Sequence, residues 1–388
     1  MNRAGRQPRE RKQEASRSLR FGPRLFIAQT QPGFEFAAWS EIKARVPAAR
    51  EQARRQVGDR AGLSIFTAST PHQLRSLRCT EDVLLLAGYR YGLSSESAGL
   101  DQIRSASREA PFVEEALNAR VVFQPAARAG RRLRFRVVAR QVGDHEFRRV
   151  DLQRVVQLGI AERRDHTWRL DEDAADVEFW ATQIGDELLL GIRLSDERMR
   201  HRDYKIAHRP GSLRPAVAAA VAWLSDPRDD DIVLDPFCGV GTVLIERAHL
   251  GRYRNLIGSD RDPGAIRAAR ENFGPRFKPV ELHDDWDAGA LPLGDASVTK
   301  IAANLPWGIK HGSHVLNRRR YGDWLAEMNR VLAPEGKMVL LTAEWRLMRD
   351  LIERGALAVE KMSRVTVLGA PASLYLCKKA VTPLITRR

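Results

Sequence analysis

Beyond residue 230 the chain alternates short apolar runs with longer stretches of helical spacing. The runs 232–235, 255–258, 278–282, 301–304, 337–341, 363–368 and 373–377 predict strands, and 240–250, 263–273, 321–332 and 346–354 predict helices. Repeated strand-then-helix units predict a parallel sheet covered on both faces. Only Gly369-Ala370-Pro371-Ala372 separates the last two runs, which is too short for a crossover. They predict an antiparallel hairpin at the sheet edge.

The N-terminal half has shorter, mixed elements. Residues 24–29 predict a strand, and Phe34, Ala37, Ala38 and Ile42 recur at helical spacing in a helix over 34–44. A strand at 63–68, a helix opened by Pro71 and an apolar run at 83–87 follow, then a helix over 100–118. In 131–140, Leu133, Phe135 and Val137 alternate with Arg132, Arg134 and Arg136, which predicts a strand with an apolar face and an arginine face. A helix at 151–158, strands at 168–170 and 177–181, a turn at 183–187 and a strand at 188–194 complete an α+β pattern. The alanine-rich stretch 213–224, with Pro215 near its start, predicts a helix that enters the last domain.

A chain of 388 residues is long for one hydrophobic core. The pattern divides it into a basic arm (1–20), an α+β domain (21–99), a second module (100–195), a polar basic linker (196–212), the α/β domain (213–380) and a basic tail (381–388). The arm carries Arg3, Arg6, Arg9, Arg11, Lys12, Arg17 and Arg20 with almost nothing apolar, so burial cannot offset the cost of ordering it. A formal net charge of +15 points to a polyanionic partner, nucleic acid ahead of an anionic membrane surface. No stretch reaches the apolar length of a membrane-spanning helix. Cys79, Cys238 and Cys377 form neither a metal signature nor a disulfide framework, and His201 and His208 have no third ligand nearby. The expectation is a cytoplasmic monomer with no metal and no membrane contact.

The chemistry concentrates at two strand ends. Asp235-Pro236-Phe237-Cys238-Gly239-Val240-Gly241-Thr242 reads as a buried strand, a tight glycine turn and the first turn of a helix. Open α/β sheets bind ligands in the crevice at such carboxyl ends. The turn lacks the further glycine of the dinucleotide fingerprint and the lysine of a phosphate-binding loop. Asp260, after the next strand, is placed to accept both hydroxyls of a ribose. Asp287 follows the third strand and is placed to accept from an adenine amine, with Asp284 and Asp285 competing for that role. Asp235, Phe237, Cys238, Gly239, Gly241, Thr242, Asp260, Arg261, Asp285, Trp286, Asp287 and Asn304 form the candidate cofactor set. The set describes an adenosyl ligand without a pyrophosphate. Cys238 has no base among its neighbours and reads as a small packed residue rather than a nucleophile. The second strand end, Asn304-Leu305-Pro306-Trp307-Gly308, closes the run 301–304.

These two motifs, in this order and at this distance, resemble class I S-adenosylmethionine-dependent methyltransferases of the branch that methylates amines of nucleic acids. The resemblance spans about 213 to 378. Leu305 replaces the commoner first proline, and Lys300 stands where many relatives carry an acid. Residues 100–195 resemble the RNA-binding THUMP domain through Phe135-Arg136-Val137, the run Gly143-Asp144-His145-Glu146-Phe147-Arg148-Arg149 and the closing hairpin at 177–194. Residues 204–218 look like the joint between THUMP and catalytic domains in tRNA guanosine methyltransferases.

The implied fold class is α/β. A C-terminal Rossmann-like methyltransferase domain, with a seven-stranded mostly parallel sheet and an antiparallel edge hairpin, follows α+β ferredoxin-like and THUMP domains. The implied activity is methyl transfer to the N2 amine of a guanosine in tRNA, at position 6 of the acceptor stem. The same group includes enzymes acting at position 10 and on ribosomal RNA. The Asn304 oxygen and the Leu305 or Pro306 carbonyl would accept the amine hydrogens, and Trp307 would stack on the flipped base; Asn304, Pro306 and Trp307 are the candidate catalytic residues. Arg132, Arg134, Arg136, Arg148, Arg149, Arg202, Lys205, Lys310, Arg318, Arg319 and Arg320 are the candidate contacts to RNA, expected to reach the acceptor stem and 3′ end. An adenine N6-methyltransferase and an RNA-binding protein without catalysis are the alternatives. A nicotinamide-dependent oxidoreductase is disfavoured by the truncated glycine pattern.

Overall fold

The computed structural model describes residues 19–127, 130–308 and 314–380, without the side chains of 314–318. The N-terminal half places β1 (Leu25–Thr30), α1 (Glu35–Arg45), β2 (Arg50–Val57), β3 (Ala61–Thr67) and β4 (Asp82–Arg90) ahead of α2 (Ala98–Arg108) and α3 (Val113–Phe123). β5 (Arg132–Val142), α4 (Arg149–Ala161), β6 (Thr167–Leu170), β7 (Val177–Ile184) and β8 (Glu187–Arg193) follow. The single helix expected over 100–118 is two helices. Pro111 lies between them, and proline cannot continue the ladder of the first. Phe112 instead donates its N–H to the Ala87 carbonyl of β4, at 3.0 Å. β2 was not foreseen, because Arg-Glu-Gln-Ala-Arg-Arg-Gln-Val has almost no apolar content.

These strands form one sheet in the order β2-β3-β1-β4-β8-β7-β5-β6. The antiparallel pairing of β4 with β8 carries this sheet across the expected boundary at 99/100. The alternation in β5 sets its two faces. Leu133, Phe135, Val137 and Ala139 are buried in the core shared with the helices, while Arg134, Arg136, Val138 and Arg140 point to the other side.

The C-terminal half comprises α5 (Pro215–Leu224), β9 (Ile232–Asp235), α6 (Thr242–His249), β10 (Asn255–Ser259), α7 (Pro263–Phe273), β11 (Val280–His283), β12 (Val298–Asn304), α8 (His314–Val331), β13 (Leu332–Thr342), α9 (Trp345–Glu353), β14 (Ala358–Val367) and β15 (Ala370–Lys378). The sheet order is β11-β10-β9-β12-β13-β15-β14, with β15 antiparallel to both neighbours. The turn between β14 and β15 is Leu368-Gly369, earlier than expected, and both residues have positive φ, +52° and +81°. That is the backbone a two-residue hairpin turn requires.

The two halves are packed together. α5 is buried from Pro215 to Ala222 and joins Phe34, Ala37 and Ala38 to Leu341, Val365 and Leu374 in one apolar cluster. Gly33 has φ +89°, and a side chain there would collide with the Arg364 carbonyl of β14. Thr366 donates its N–H to the Pro32 carbonyl at 2.9 Å. A buried ionic cluster continues the seam. Glu246 of α6 accepts from Arg78 Nε at 2.6 Å and from the Tyr204 hydroxyl at 2.7 Å. The stretch 196–212, read as a linker, is therefore clamped between the two halves. Arg200 pairs with the buried Asp82, and Arg202 donates to the Arg78 carbonyl.

Candidate active site

A cavity of about 540 Å³ opens at the carboxyl ends of β9, β10 and β12, where the order of the sheet reverses. Asp235 ends β9 and is buried; its Oδ1 accepts the Phe237 N–H at 3.1 Å. Burial pushes its carboxyl up to about 8. The turn that follows needs its glycines. Gly239 and Gly241 have φ +53° and +80°, and a Cβ on Gly241 would sit 2.8 Å from the Phe273 ring. Gly239 donates its N–H to Asp260 at 3.0 Å, and Asp262 donates to the other Asp260 oxygen at 2.9 Å. Two backbone bonds thus orient the carboxylate and leave lone pairs for a ligand hydroxyl. Burial raises the Asp260 carboxyl as well. Thr242, on the first turn of α6, lines the cavity with a buried Oγ1 that has no hydrogen-bond partner among the described residues.

Asp235, Phe237, Cys238, Gly239, Thr242, Asp260, Arg261, Asn304, Pro306 and Trp307 all line this cavity. Gly241 does not line it but shapes the turn. Burial pushes the Cys238 thiol up, which leaves it a packed, unreactive group. Asp285, Trp286 and Asp287 do not line the cavity. Asp287 is ion-paired with Arg320 of α8 and accepts the Gly289 N–H at 2.9 Å, so its carboxylate is held below the usual range. Trp286 stacks on His283, ring centroids 3.8 Å apart, and Asp284 and Asp285 face solvent. From that loop only Ala288 reaches the cavity, opposite Trp324, whose ring meets the Phe237 ring edge-on at 4.9 Å. Sequence reasoning missed Trp324, Ala288, Arg209, Leu213, Val367 and Leu368. The amphipathic pattern of α8 carried a signal for Trp324. The others are brought in by tertiary packing alone.

Asn304 is the last residue of β12 and is held at the cavity by the parallel pairing with β13. Leu305 extends that pairing, donating its N–H to the Leu341 carbonyl at 2.9 Å. Trp307 folds back so that its indole N–H donates to Asn304 Oδ1 at 3.0 Å, and the ring packs half-buried against the α5 cluster. One lone pair of the Asn304 oxygen is thus used by Trp307 and the other is left for a substrate hydrogen. In this arrangement Trp307 orients Asn304 while its ring lines the cavity.

The expected RNA contacts separate into two groups. Arg134 pairs with Asp176 at 3.0 Å and Arg136 with Glu178 at 2.5 Å, so acids on and before β7 neutralise the arginine face of β5. Arg202 is largely buried 3.7 Å from Glu246. Lys205 is half-buried and donates to the Leu213 carbonyl, and burial pulls its ammonium down to about 8. Arg320 is taken by Asp287. Arg132, Arg148, Arg149 and Arg319 are exposed. Among the described residues, Arg148 contacts Asp151 at 3.4 Å and Arg149 contacts Gln153 at 3.2 Å, both at the start of α4. Lys310 and the Arg318 side chain lie outside the described residues, as do residues 1–18 of the basic arm and the tail 381–388.

Residues 202–370 match the family model described as UPF0020: RMKL-like, methyltransferase domain. The crystal structure of TrmN from Thermus thermophilus superposes with a TM-score of 0.71 at 25% identity, over 92% of this chain and 99% of that one. The chain is similar to that methyltransferase-domain family and to TrmN. The tRNA (guanine(6)-N2)-methyltransferase of Thermus thermophilus is 32% identical over 57% of this chain and 65% of its own length. The mouse tRNA (guanine(6)-N(2))-methyltransferase THUMP3 is 29% identical over 65% of this chain. The chain spans about half the length of that mammalian relative, 52%.

S-adenosylmethionine fits the residues present in the methyltransferase domain. Asp235 is a buried carboxyl with no cation partner among the described residues, and it suits an ammonium. Asp260 offers acceptors to a ribose, the orphaned Thr242 hydroxyl suits a polar group, and Phe237, Ala288 and Trp324 form an apolar wall. Among the described residues no group of His, Cys, Asp and Glu could hold a metal, and no helix is long and apolar enough to cross a membrane.

Proposed function

We propose that this chain methylates the exocyclic N2 amine of a guanosine in tRNA, with position 6 of the acceptor stem as its target. The observation that carries the reading is Asn304 at the end of β12, lining the same cavity as Asp235 and Asp260. The names of the bacterial and mouse relatives support this choice of atom and position.

S-adenosylmethionine, when bound, supplies an electrophilic methyl group on its sulfonium. The guanine amine is a weak nucleophile, because its lone pair is delocalised into the ring. The open lone pair of Asn304 Oδ1 accepts one amine hydrogen and a backbone carbonyl of the Leu305-Pro306 turn accepts the other. These bonds orient the nitrogen and stabilise the positive charge that develops on it. Neutral acceptors suffice, since the proton can leave to water after the bond has formed. The target base must leave its stack to reach this cavity. The exposed Arg132, Arg148, Arg149 and Arg319 supply phosphate contacts that hold the stem by its backbone.

The test is nucleoside mass spectrometry on unmodified tRNA incubated with the protein and labelled S-adenosylmethionine, with mapping of the labelled position. Label in N2-methylguanosine at position 6 is expected. N6-methyladenosine without N2-methylguanosine would overturn the atom, and N2-methylguanosine at position 10 would overturn the site.

A further inference from the structure

The Pro306 carbonyl already accepts a hydrogen bond from within the protein. The Tyr321 hydroxyl, on α8 and fully buried, donates to it at 2.6 Å. The same hydroxyl lies 2.8 Å from Thr342 Oγ1 at the end of β13, and Thr342 Oγ1 accepts the Glu344 N–H at 3.1 Å. The directions are fixed by counting protons. A carbonyl cannot donate, so the one tyrosine proton goes to Pro306, and the Thr342 hydroxyl must donate to Tyr321. A directed chain therefore runs from the Glu344 N–H through Thr342 and Tyr321 to the Pro306 carbonyl. Each bond polarises the next, and the central Tyr321–Thr342 link is buried.

We propose that Tyr321 is a positioning residue for methyl transfer. Its hydroxyl, held by Thr342, turns the Pro306 carbonyl into the protein interior and fixes the turn that carries Asn304. The backbone acceptor for the substrate amine is then the Leu305 carbonyl, since Leu305 lines the cavity and its own N–H is tied to Leu341. Asn304 is thus set from two sides, by Trp307 on its oxygen and by the Tyr321 anchor two residues on. A bulky aromatic on a helix is ordinary core, and Tyr321 does pack in the cluster beneath the sheet. A phenylalanine would satisfy that packing. The hydroxyl is what the anchor needs. The proposal rests on the methyl-transfer reading above.

The experiment compares Tyr321→Phe, Thr342→Val and Thr342→Ser with wild type by steady-state methylation of tRNA, S-adenosylmethionine binding and thermal unfolding. Tyr321→Phe keeps the ring and should lower kcat about tenfold or more, with both KM values within about twofold, because misplaced acceptors cost rate rather than binding. Thr342→Val should lower kcat in the same sense, and Thr342→Ser, which keeps the hydroxyl, should restore it. A merely structural Tyr321 would lower the melting temperature and leave kcat per folded, cofactor-binding molecule unchanged. That result, or equal kcat for the Val and Ser variants, overturns the proposal. An inactive wild type would overturn the functional reading and this proposal with it, whereas an active wild type matched by Tyr321→Phe overturns this proposal alone.

Discussion

Asp235 should make the binding of S-adenosylmethionine a proton-linked event. Its carboxyl is pushed up to about 8 by burial, with no described cation beside it and only the Phe237 N–H to favour the anion. The sign of the linkage follows. The folded-state value lies above the ordinary 3.8, so the folded protein binds more protons than the unfolded chain between roughly pH 4 and 8. In that window the ligand-free protein loses stability as pH rises. An ammonium placed against Asp235 favours the anion and reverses the penalty. At pH 7 only about one-tenth of the carboxyl is ionised, so binding should release about 0.9 proton, and affinity should rise about tenfold per pH unit. Between about pH 5.5 and 7.5 a ligand α-amino group stays largely protonated, so the slope there belongs to the protein. Calorimetric titration of S-adenosylmethionine in buffers of different ionisation enthalpy reads both quantities. Asp235→Asn should bind more weakly and show no slope. A wild-type affinity that is flat over this range, with no proton released, would refute the assignment of Asp235 as the buried partner of the ligand cation.

Asn304→Ala should abolish methylation while tRNA binding stays within about twofold in a filter-binding assay, since Asn304 lies within the cavity and its oxygen is held by the neighbouring Trp307. Gly241→Ala should cost about 2–4 kcal/mol in urea unfolding, from the left-handed backbone and the collision with Phe273. Unchanged stability would mean the turn adopts another conformation. Replacing Arg132, Arg148 and Arg149 together by glutamine should flatten the salt dependence of tRNA binding by about one slope unit for each phosphate no longer neutralised. The same change at the paired Arg134 and Arg136 should alter it less, and the reverse ranking would place the RNA elsewhere.

The methyltransferase half was readable because its determinants are local. A strand buried on both faces is an apolar run, and a backbone forced to positive φ beside a ring demands glycine, so Ile232–Asp235 and Gly239 and Gly241 announce themselves. Asn304 was placed by the same logic, as a polar residue that ends an apolar strand. β2 escaped because its side chains are mostly exposed or half-buried and so leave no apolar alternation to read. The break between α2 and α3 was legible in Pro111 and was overridden by the helical spacing around it.

Charged residues failed differently, and the failure has one cause. Asp287 was assigned to adenine and Arg320 to RNA, yet each is the other's partner across 33 positions of sequence. Arg134 with Asp176 and Arg136 with Glu178 repeat the pattern across 42 positions. A sequence displays each ion with its neighbours in the chain, but only folding shows its counter-ion. An arginine on one strand and an acid on the next cancel where the strands pair, and neither leaves a periodic trace. A run of arginines therefore overstates the surface open to phosphate, while the total charge does not. The excess of +15 survives every internal pairing, because each ion pair removes one charge of either sign. Part of it lies in the basic arm and tail, and part on residues such as Arg132, Arg148, Arg149 and Arg319, which the fold leaves exposed. Net charge thus argues that a polyanion binds, and the ion-pair map argues where.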